Sequence, residues 1–226
     1  MIHDSLAREV LDVAASGGAD FAELFMEDAE STRIELTDLS VSEAGYSRLC
    51  GAGVRVFSGV KSAYAFTSDP TREKLIDTAR AAAAALQGDA PQAETPFSLR
   101  AYETPVGIPF SSIDNAKRIA LLRDTVKAAK SVSDEVTQVI AGYTDKLQRV
   151  WIWNTEGLAV TDERPRTRSY VHAIAARDGE AQESFEGPGC CRGFEAYKET
   201  IDLAEAGRTA ARTAALMLNA PECPAG

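Results

Sequence analysis

The segment 51–66 constrains the fold more than any other part of the chain, because it predicts two strands joined by a tight turn. Residues 48–57 alternate between apolar side chains and a second face that holds glycines and Arg55. This period of two is typical of a strand that is buried on one side only. The Ser-Gly pair at 58–59 predicts the turn, and residues 60–67 predict the returning strand. The chain is therefore expected to contain antiparallel sheet.

Helical and strand periodicities recur on both sides of a proline-rich stretch. Apolar residues three or four apart predict helices, and short β-branched or aromatic runs predict strands. The predicted helices are 4–16, 69–88, 112–131 and 199–218. The predicted strands are 19–28, 31–37, a short strand after a turn within 38–47, 48–57, 60–67, 135–144, 147–154, 157–162, 166–177 and 180–197, the last broken at 187–189. This pattern indicates the α+β class, with two lobes of antiparallel sheet flanked by helices. The predicted division is an amino-terminal domain at 1–90, a linker at 91–111 and a central domain at 112–226.

The charge balance argues against nucleic acid as a partner. The chain has 34 acidic and 24 basic residues, a net charge of −10, and the acidic residues are spread along it. Phosphate contacts need a clustered basic face. No apolar run reaches the roughly 18 residues that a membrane span needs, and the first residues lack the basic and apolar regions of a secretory signal. We therefore expect a cytoplasmic protein that binds neither nucleic acid nor membrane.

The four cysteines offer no metal-binding pattern. They lie at positions 50, 190, 191 and 223, and no two of them form a C-x-x-C pair. Zinc sites built from cysteine use such a spacing. Thiols stay reduced in the cytoplasm, so free cysteines are expected.

Familiar catalytic motifs are missing from the sequence. It has no G-x-S-x-G, P-loop, G-x-G-x-x-G or H-E-x-x-H pattern. The two histidines, His3 and His172, do not have a spacing that metal ligands use. A hydrolase needs a nucleophile with a base, or a metal that activates water. One enzyme hypothesis remains from the residues alone, in which His172 or a cysteine is the base or nucleophile of an unrelated α+β enzyme.

Five residues are candidate contacts for a peptide or a partner protein. Arg55 shares a strand face with two glycines, where another backbone can approach closely. Gly187, Gly189 and Arg192 belong to a glycine-rich loop, where positive φ values would expose backbone N–H groups to an extended peptide. His172 lies on a predicted strand face. The alternatives are a sheet-face arginine with an acidic partner, a β-bulge or wide hairpin at the loop, and a structural strand histidine.

Several segments, in order along the chain, resemble motifs of the TldD/PmbA family of metallopeptidases. They are 53–66, similar to the family's first motif; 151–158 with 162–165, similar to its central region; 187–195, similar to the glycine-rich loop of TldD-type members; and 219–226, similar to the junction with the carboxy-terminal domain. The resemblance covers nearly the whole chain. It identifies the chain with the amino-terminal and central domains of a TldD-type protein.

The resemblance implies a cytoplasmic zinc metallopeptidase that pairs with a related subunit and cleaves extended peptides. The family was once described as modulators of DNA gyrase. Its zinc is bound by a helix with an H-E-x-x-x-H motif in the carboxy-terminal domain, and this sequence has no such motif. No catalytic or metal-binding residue is therefore carried over. The chain is predicted to be inactive alone, and zinc is expected only in the full-length family protein.

We therefore predict the non-catalytic amino-terminal and central part of a TldD-like peptidase, which contributes a substrate channel and a subunit interface. Its predicted partners are a peptide substrate and either a related TldD/PmbA-type subunit or a second copy of the chain. The alternative is a stand-alone peptide-binding or assembly module of the same fold, without enzyme activity.

Overall fold

The computed structural model describes residues 2–86 and 95–221. The helices are α1 (Asp4–Ala15), α2 (Arg72–Ala85), α3 (Asn115–Lys130), α4 (Ala196–Glu199) and α5 (Leu203–Leu218), with a short 3-10 turn at Phe110–Ser112. The strands are β1 (Phe21–Thr37), β2 (Ser40–Ser58), β3 (Lys61–Thr67), β4 (Ser98–Glu103), β5 (Val136–Asn154), β6 (Leu158–Arg177), β7 (Glu180–Glu186) and β8 (Gly189–Cys190). None of the helices in the described residues has the length and apolar character that a bilayer span requires.

The predicted α+β class is confirmed. The strands form one sheet in the order β3-β2-β1-β5-β6-β4, and β7 and β8 also pair with β6. Pairing of β2 with β3 and of β6 with β7 and β8 is antiparallel. Strand β4 pairs with β6 in parallel and lies inside the stretch that was predicted to be a linker. Two prolines of that stretch, Pro96 and Pro105, lie on either side of β4 and therefore do not interrupt it.

The predicted hairpin is present, with its turn one residue further along the chain. Ser58 is the partner of Lys61, so Gly59 and Val60 form the two-residue loop. Gly59 has a φ of +56°, which explains why a glycine stands there. The valines of β2 that were predicted to face inward, Val54 and Val56, are fully buried.

Four predicted pairs of short strands are in fact single long strands. β1 joins 19–28 with 31–37, β2 joins the short strand predicted after residue 38 with 48–57, β5 joins 135–144 with 147–154, and β6 joins 157–162 with 166–177. The polar residues that suggested breaks occupy half-buried or exposed positions of continuous strands, such as Ser31 to Arg33 in β1. A break in an apolar pattern therefore did not mark a break in the backbone.

The chain forms two compact units, and each is assembled from separated segments. Unit 1 comprises the described residues of Met1–Glu30, Arg48–Glu103 and Gln148–Arg164. Unit 2 comprises those of Ser31–Ser47, Thr104–Leu147 and Pro165–Gly226. Strands β1, β2, β5 and β6 therefore contribute residues to both units. The division at residues 90 and 112 stays a prediction.

The core of unit 1 lies between its two long helices and one face of the sheet. Apolar residues of α1 and α2 pack there with Leu24, Val54, Val56 and Trp151, among others. The predicted apolar stripe of α2, from Leu75 to Leu86, is buried throughout. Trp153 is buried in the same core, and its indole N–H donates to Asp4 at 3.1 Å.

The core of unit 2 is built in the same way from α3, α5 and the inward residues of β1, β5 and β6. Tyr143 is its largest fully buried side chain. The structure differs in one respect from the apolar stripe that the helical period predicts for α3, which is Ile113, Ala116, Ile119, Leu122, Val126 and Ala129. Ala116 is exposed, whereas Arg118 is only 4% exposed.

Candidate peptide-contact sites

Arg55 lies on the exposed face of β2 in unit 1. Its guanidinium carbon is 5.2 Å from the centre of the Tyr64 ring, a cation–π distance. Among the described residues no carboxylate lies within ion-pair distance of Arg55, whereas Arg48 on the same strand pairs with Asp28 at 2.8 Å. In the described part of the chain Arg55 thus contacts an aromatic ring and no carboxylate, and its contact with a peptide or a partner stays a prediction.

An apolar groove lies beside the β2–β3 hairpin of unit 1, next to Arg55. We call it the hairpin groove, and its volume is about 250 Å³. Its lining is mainly apolar and includes Phe25, Leu49, Gly53, Tyr64 and Phe66, together with the acidic Glu27. The rings of Tyr64 and Phe66 stack with their centres 6.2 Å apart. A Cβ atom on Gly53 would lie 2.3 Å from the Tyr64 hydroxyl oxygen, so the glycine makes room for this ring.

In unit 2, charged and aromatic side chains of neighbouring strands are connected on one sheet face. Tyr170 of β6 donates its hydroxyl to Glu35 of β1, and the side chain of Arg33 bonds Glu43 of β2 at 2.9 Å. Burial, followed by the bond to Glu35, raises the pKa of Tyr170 to about 12. The phenol therefore stays protonated at neutral pH and acts as a donor. The ring of Tyr170 stacks on Phe185 with centres 6.0 Å apart.

His172 is placed on this face and has a carboxylate partner that sequence reasoning missed. Its Nε2 atom lies 2.9 Å from an Oε2 atom of Glu183 on β7. The signal was available, because a hairpin across residues 178–179 brings 172 and 183 to neighbouring strands. A histidine–carboxylate pair can orient a proton donor, but no described cluster of three or more potential metal ligands accompanies it.

Gly187 and Gly189 lie at a sheet edge and not in a β-bulge or wide hairpin. Val171 pairs with Glu186 and Arg168 pairs with Gly189, so two residues lie between the paired positions on both strands and the register is unchanged. Neither glycine has the positive φ that was expected, and a contact of this loop with a peptide stays a prediction. Glycine at position 187 leaves room for a neighbouring ring, because a Cβ atom there would lie 2.8 Å from the ring of Phe185.

Arg192 is held by acidic residues of the following helical turn. It bonds Glu199 at 2.6 Å and Thr200 at 3.0 Å, and it lies 3.8 Å from Glu195. Glu195 is buried and accepts hydrogen bonds from the backbone N–H groups of Gly193 at 3.0 Å and Ile108 at 2.7 Å. Burial opposes its ionisation, but these donors outweigh burial and lower its pKa.

A buried cluster of charged and polar side chains in unit 2 was also not predicted from the sequence. Arg118 of α3 bonds Asp145 of β5 at 2.8 Å, and both side chains are at most 5% exposed. Tyr143 donates to the same carboxylate at 2.8 Å, and the backbone N–H of Thr32 donates to it at 3.2 Å. Burial raises the pKa of Tyr143, so the phenol remains a donor.

The donor set does not fit a catalytic metal. Residues 2–86 and 95–221 contain no group of three or more His, Cys, Asp or Glu side chains that could hold an ion. Cys50, Cys190 and Cys191 are free thiols, and Cys223 lies outside the described residues. Burial raises the pKa of Cys190, which argues against a nucleophilic thiolate there.

The predicted contact residues thus fall into two groups. Arg55 lies in unit 1, while His172, Gly187, Gly189 and Arg192 lie in unit 2. Whether any of them contacts a peptide or a partner stays a prediction.

Two family models match the chain along most of its length. The metallopeptidase domain 1 of PmbA and its relatives matches residues 22–86, and the central domain matches 108–218. The chain belongs to the TldD/PmbA family. A metalloprotease TldD homologue of Haemophilus influenzae is 25% identical over an alignment that covers 96% of this chain and 47% of the relative. A metalloprotease of Methanothermobacter thermautotrophicus is 24% identical over 92% of this chain and 45% of its own length.

Solved structures of low sequence identity share the fold of this TldD/PmbA chain. A protein from Thermotoga maritima, described as a modulator of DNA gyrase, superposes with a TM-score of 0.77 at 18% identity, over 99% of this chain and 50% of that one. TldE from Thermococcus kodakarensis gives 0.67 at 15% identity, over 93% and 47%. The chain spans about half the length of the relatives it matches.

Proposed function

We propose that this chain is the non-catalytic amino-terminal and central part of a TldD-type metallopeptidase, which contributes surfaces for an extended peptide and a subunit. The observation that carries the proposal is the pair of family domains at 22–86 and 108–218 in a sequence without an H-E-x-x-x-H motif. The names of the relatives favour metal-dependent proteolysis by the whole protein. The donor set of this chain supports the assignment of the metal, expected to be zinc, to another part of it.

The free edge of β2 supports peptide binding by strand addition. Among the described residues, β3 pairs with residues 52–58 of β2 and leaves residues 40–45 without a strand on that side. All six of these residues are exposed. An edge strand offers its unpaired N–H and C=O groups to an extended chain, a contact that depends little on peptide sequence.

Three measurements on the purified 226-residue chain test this function. Elemental analysis should find far less than one zinc per chain, and unfolded casein should remain uncleaved. An added extended peptide should slow amide hydrogen exchange at residues 40–45 while exchange at 52–58 stays unchanged. One tightly bound zinc per chain, or cleavage that a chelator stops, would contradict the non-catalytic assignment.

The alternative function, a stand-alone peptide-binding or assembly module, would give the same exchange pattern. A measurement on the full-length protein separates this alternative from the peptidase assignment. The natural full-length protein should bind zinc and cleave casein if the peptidase assignment is right. A zinc-free full-length protein in which added peptide still slows exchange at residues 40–45 would favour the stand-alone binding module.

A further inference from the structure

The hairpin groove gathers exposed apolar side chains at one place on unit 1. Leu49 is 62% exposed, Tyr64 55% and Phe66 77%, and all three line the groove. Single exposed apolar residues are ordinary on a protein surface. A concave cluster of them is different, because such clusters mark sites of protein or ligand contact.

The size of the groove limits what it can hold. Small-molecule sites usually enclose about 300–1,000 Å³, and the hairpin groove has about 250 Å³. Space of this size suits one aromatic or leucine side chain. The stacked rings of Tyr64 and Phe66 offer the offset and edge contacts that an aromatic ring prefers.

A positive charge without a described acidic partner stands beside this apolar space. Arg55 lies over the Tyr64 ring, and Tyr64 also lines the groove. The chain has 34 acidic residues, yet none in the described part forms an ion pair with Arg55. A guanidinium that is already positioned by a ring binds a carboxylate with little loss of conformational freedom.

We propose that the hairpin groove binds an aromatic or leucine side chain of a partner polypeptide, and that Arg55 binds a carboxylate on the adjacent residue. The site goes beyond the proposed function, since it needs neither hydrolysis nor the free edge of β2. It would let the family's amino-terminal domain select partner segments by an apolar residue followed by an acidic one.

Capped tetrapeptides test the site by isothermal titration of the purified chain. The probe is acetyl-Ala-Phe-Asp-Ala-amide, and the comparison peptides replace Phe by Ala, or Asp by Asn or Lys. We expect saturable binding of the probe, about tenfold weaker binding without the phenylalanine, and about threefold weaker binding with asparagine. The lysine peptide should bind more weakly still.

Variants at exposed positions assign the binding to the groove. Phe66→Ser should weaken probe binding about tenfold, and Arg55→Gln should remove the preference for aspartate over asparagine. Val60→Ser is the matched control, because Val60 is fully exposed at the hairpin turn and does not line the groove. It should change neither value, and urea unfolding should show all three variants folded.

Several results would overturn the proposal. Absence of saturable probe binding at millimolar concentration would do so, as would equal affinity for the aspartate and lysine peptides. Concentration-dependent dimers in sedimentation that Phe66→Ser abolishes would assign the groove to a second copy of the chain. Co-sedimentation with phosphatidylcholine vesicles that the same change abolishes would assign it to lipid. None of these results bears on zinc content or casein cleavage, so the two proposals fail separately.

Discussion

The buried pair of Arg118 and Asp145 is the residue-scale feature with the largest expected effect on stability. Asp145→Asn should lower the free energy of unfolding by about 3–5 kcal/mol, because it leaves a buried guanidinium without its charge partner. Urea unfolding at pH 7 measures the change. Arg72→Met breaks an exposed ion pair with Glu9 and should cost less than about 1 kcal/mol.

A double variant checks this explanation. Arg118→Met combined with Asp145→Asn should lose less stability than Asp145→Asn alone, since no charge remains buried without a partner. Equal losses in the single and double variants would mean that packing and not charge sets the cost.

Glu195 gives the chain a stability contribution that depends on pH. Its folded pKa lies below the ordinary value of 4.5, so its contribution is complete above that pH and is lost as the pH falls through the folded pKa. Glu195→Gln should therefore cost about 1–2 kcal/mol at pH 7 and progressively less below pH 4.5. Urea unfolding between pH 7 and pH 3 measures this difference. Glu199→Gln, at an exposed site, is the control and should cost less than about 1 kcal/mol.

The sequence contained signals for the burial of Arg118 and Asp145 that apolar patterns alone do not reveal. Asp145 continues the inward phase of Val139, Ala141 and Tyr143 in β5, and Arg118 stands one helical turn before the buried Leu122. A charge at a predicted inward position requires a partner of opposite charge. Which helix faces which strand, however, follows from tertiary packing, so the pairing itself could not be predicted.

At the scale of elements, the β6–β7 turn depends on backbone conformation. Asp178 and Gly179 have φ values of +54° and +90°, and a Cβ atom on Gly179 would meet nothing within 4 Å. Gly179→Ala should therefore cost about 1–2 kcal/mol from conformation alone. Gly45→Ala, in β2 with equally open space and no positive φ, should be neutral or slightly stabilising. Equal effects in urea unfolding would contradict this reason.

The two halves of β2 should differ in amide hydrogen exchange even without a peptide. Residues 52–58 pair with β3, and β1 is the other neighbour of β2, whereas residues 40–45 have only β1 as a neighbour among the described elements. Alternate N–H groups of 40–45 should therefore exchange much faster than those of 52–58. Mass spectrometry or NMR measures the rates, and uniform protection along β2 would show that the edge is covered.

Periodicity predicted the elements well where one face is apolar and the other polar. The β2–β3 hairpin, α2 and the turn between the predicted strands at 166–177 and 180–197 appear close to their expected places. Strand lengths were underestimated because half-buried polar residues in a long strand resemble loops in a short window. Strand β4 was missed because all its residues are exposed and its partner lies sixty residues further along the chain.

At the scale of the whole molecule, the net charge of −10 predicts no affinity for DNA. Fluorescence anisotropy of a labelled duplex should show no binding at about 150 mM salt, since nonspecific binding depends on phosphate neutralisation by basic residues. Binding that weakens steeply with added salt would contradict this prediction.

Family resemblance and fold class could be predicted from the sequence, but the composition of the two units could not. The motifs at 53–66 and 151–158 fall in different predicted domains, yet both contribute to unit 1. Long-range pairing of this kind depends on tertiary contacts that periodicity does not contain.

The interleaving of the two units has a consequence for synthesis on the ribosome. Unit 1 needs residues 148–164, which emerge only after residues 104–147 of unit 2 have been made. The strands of unit 1 that are made first therefore lack these packing partners while the nascent chain grows by more than forty residues, and part of their apolar surface stays exposed. Translation pauses or chaperones that act during this interval should influence the yield of native protein more than those that act near the start.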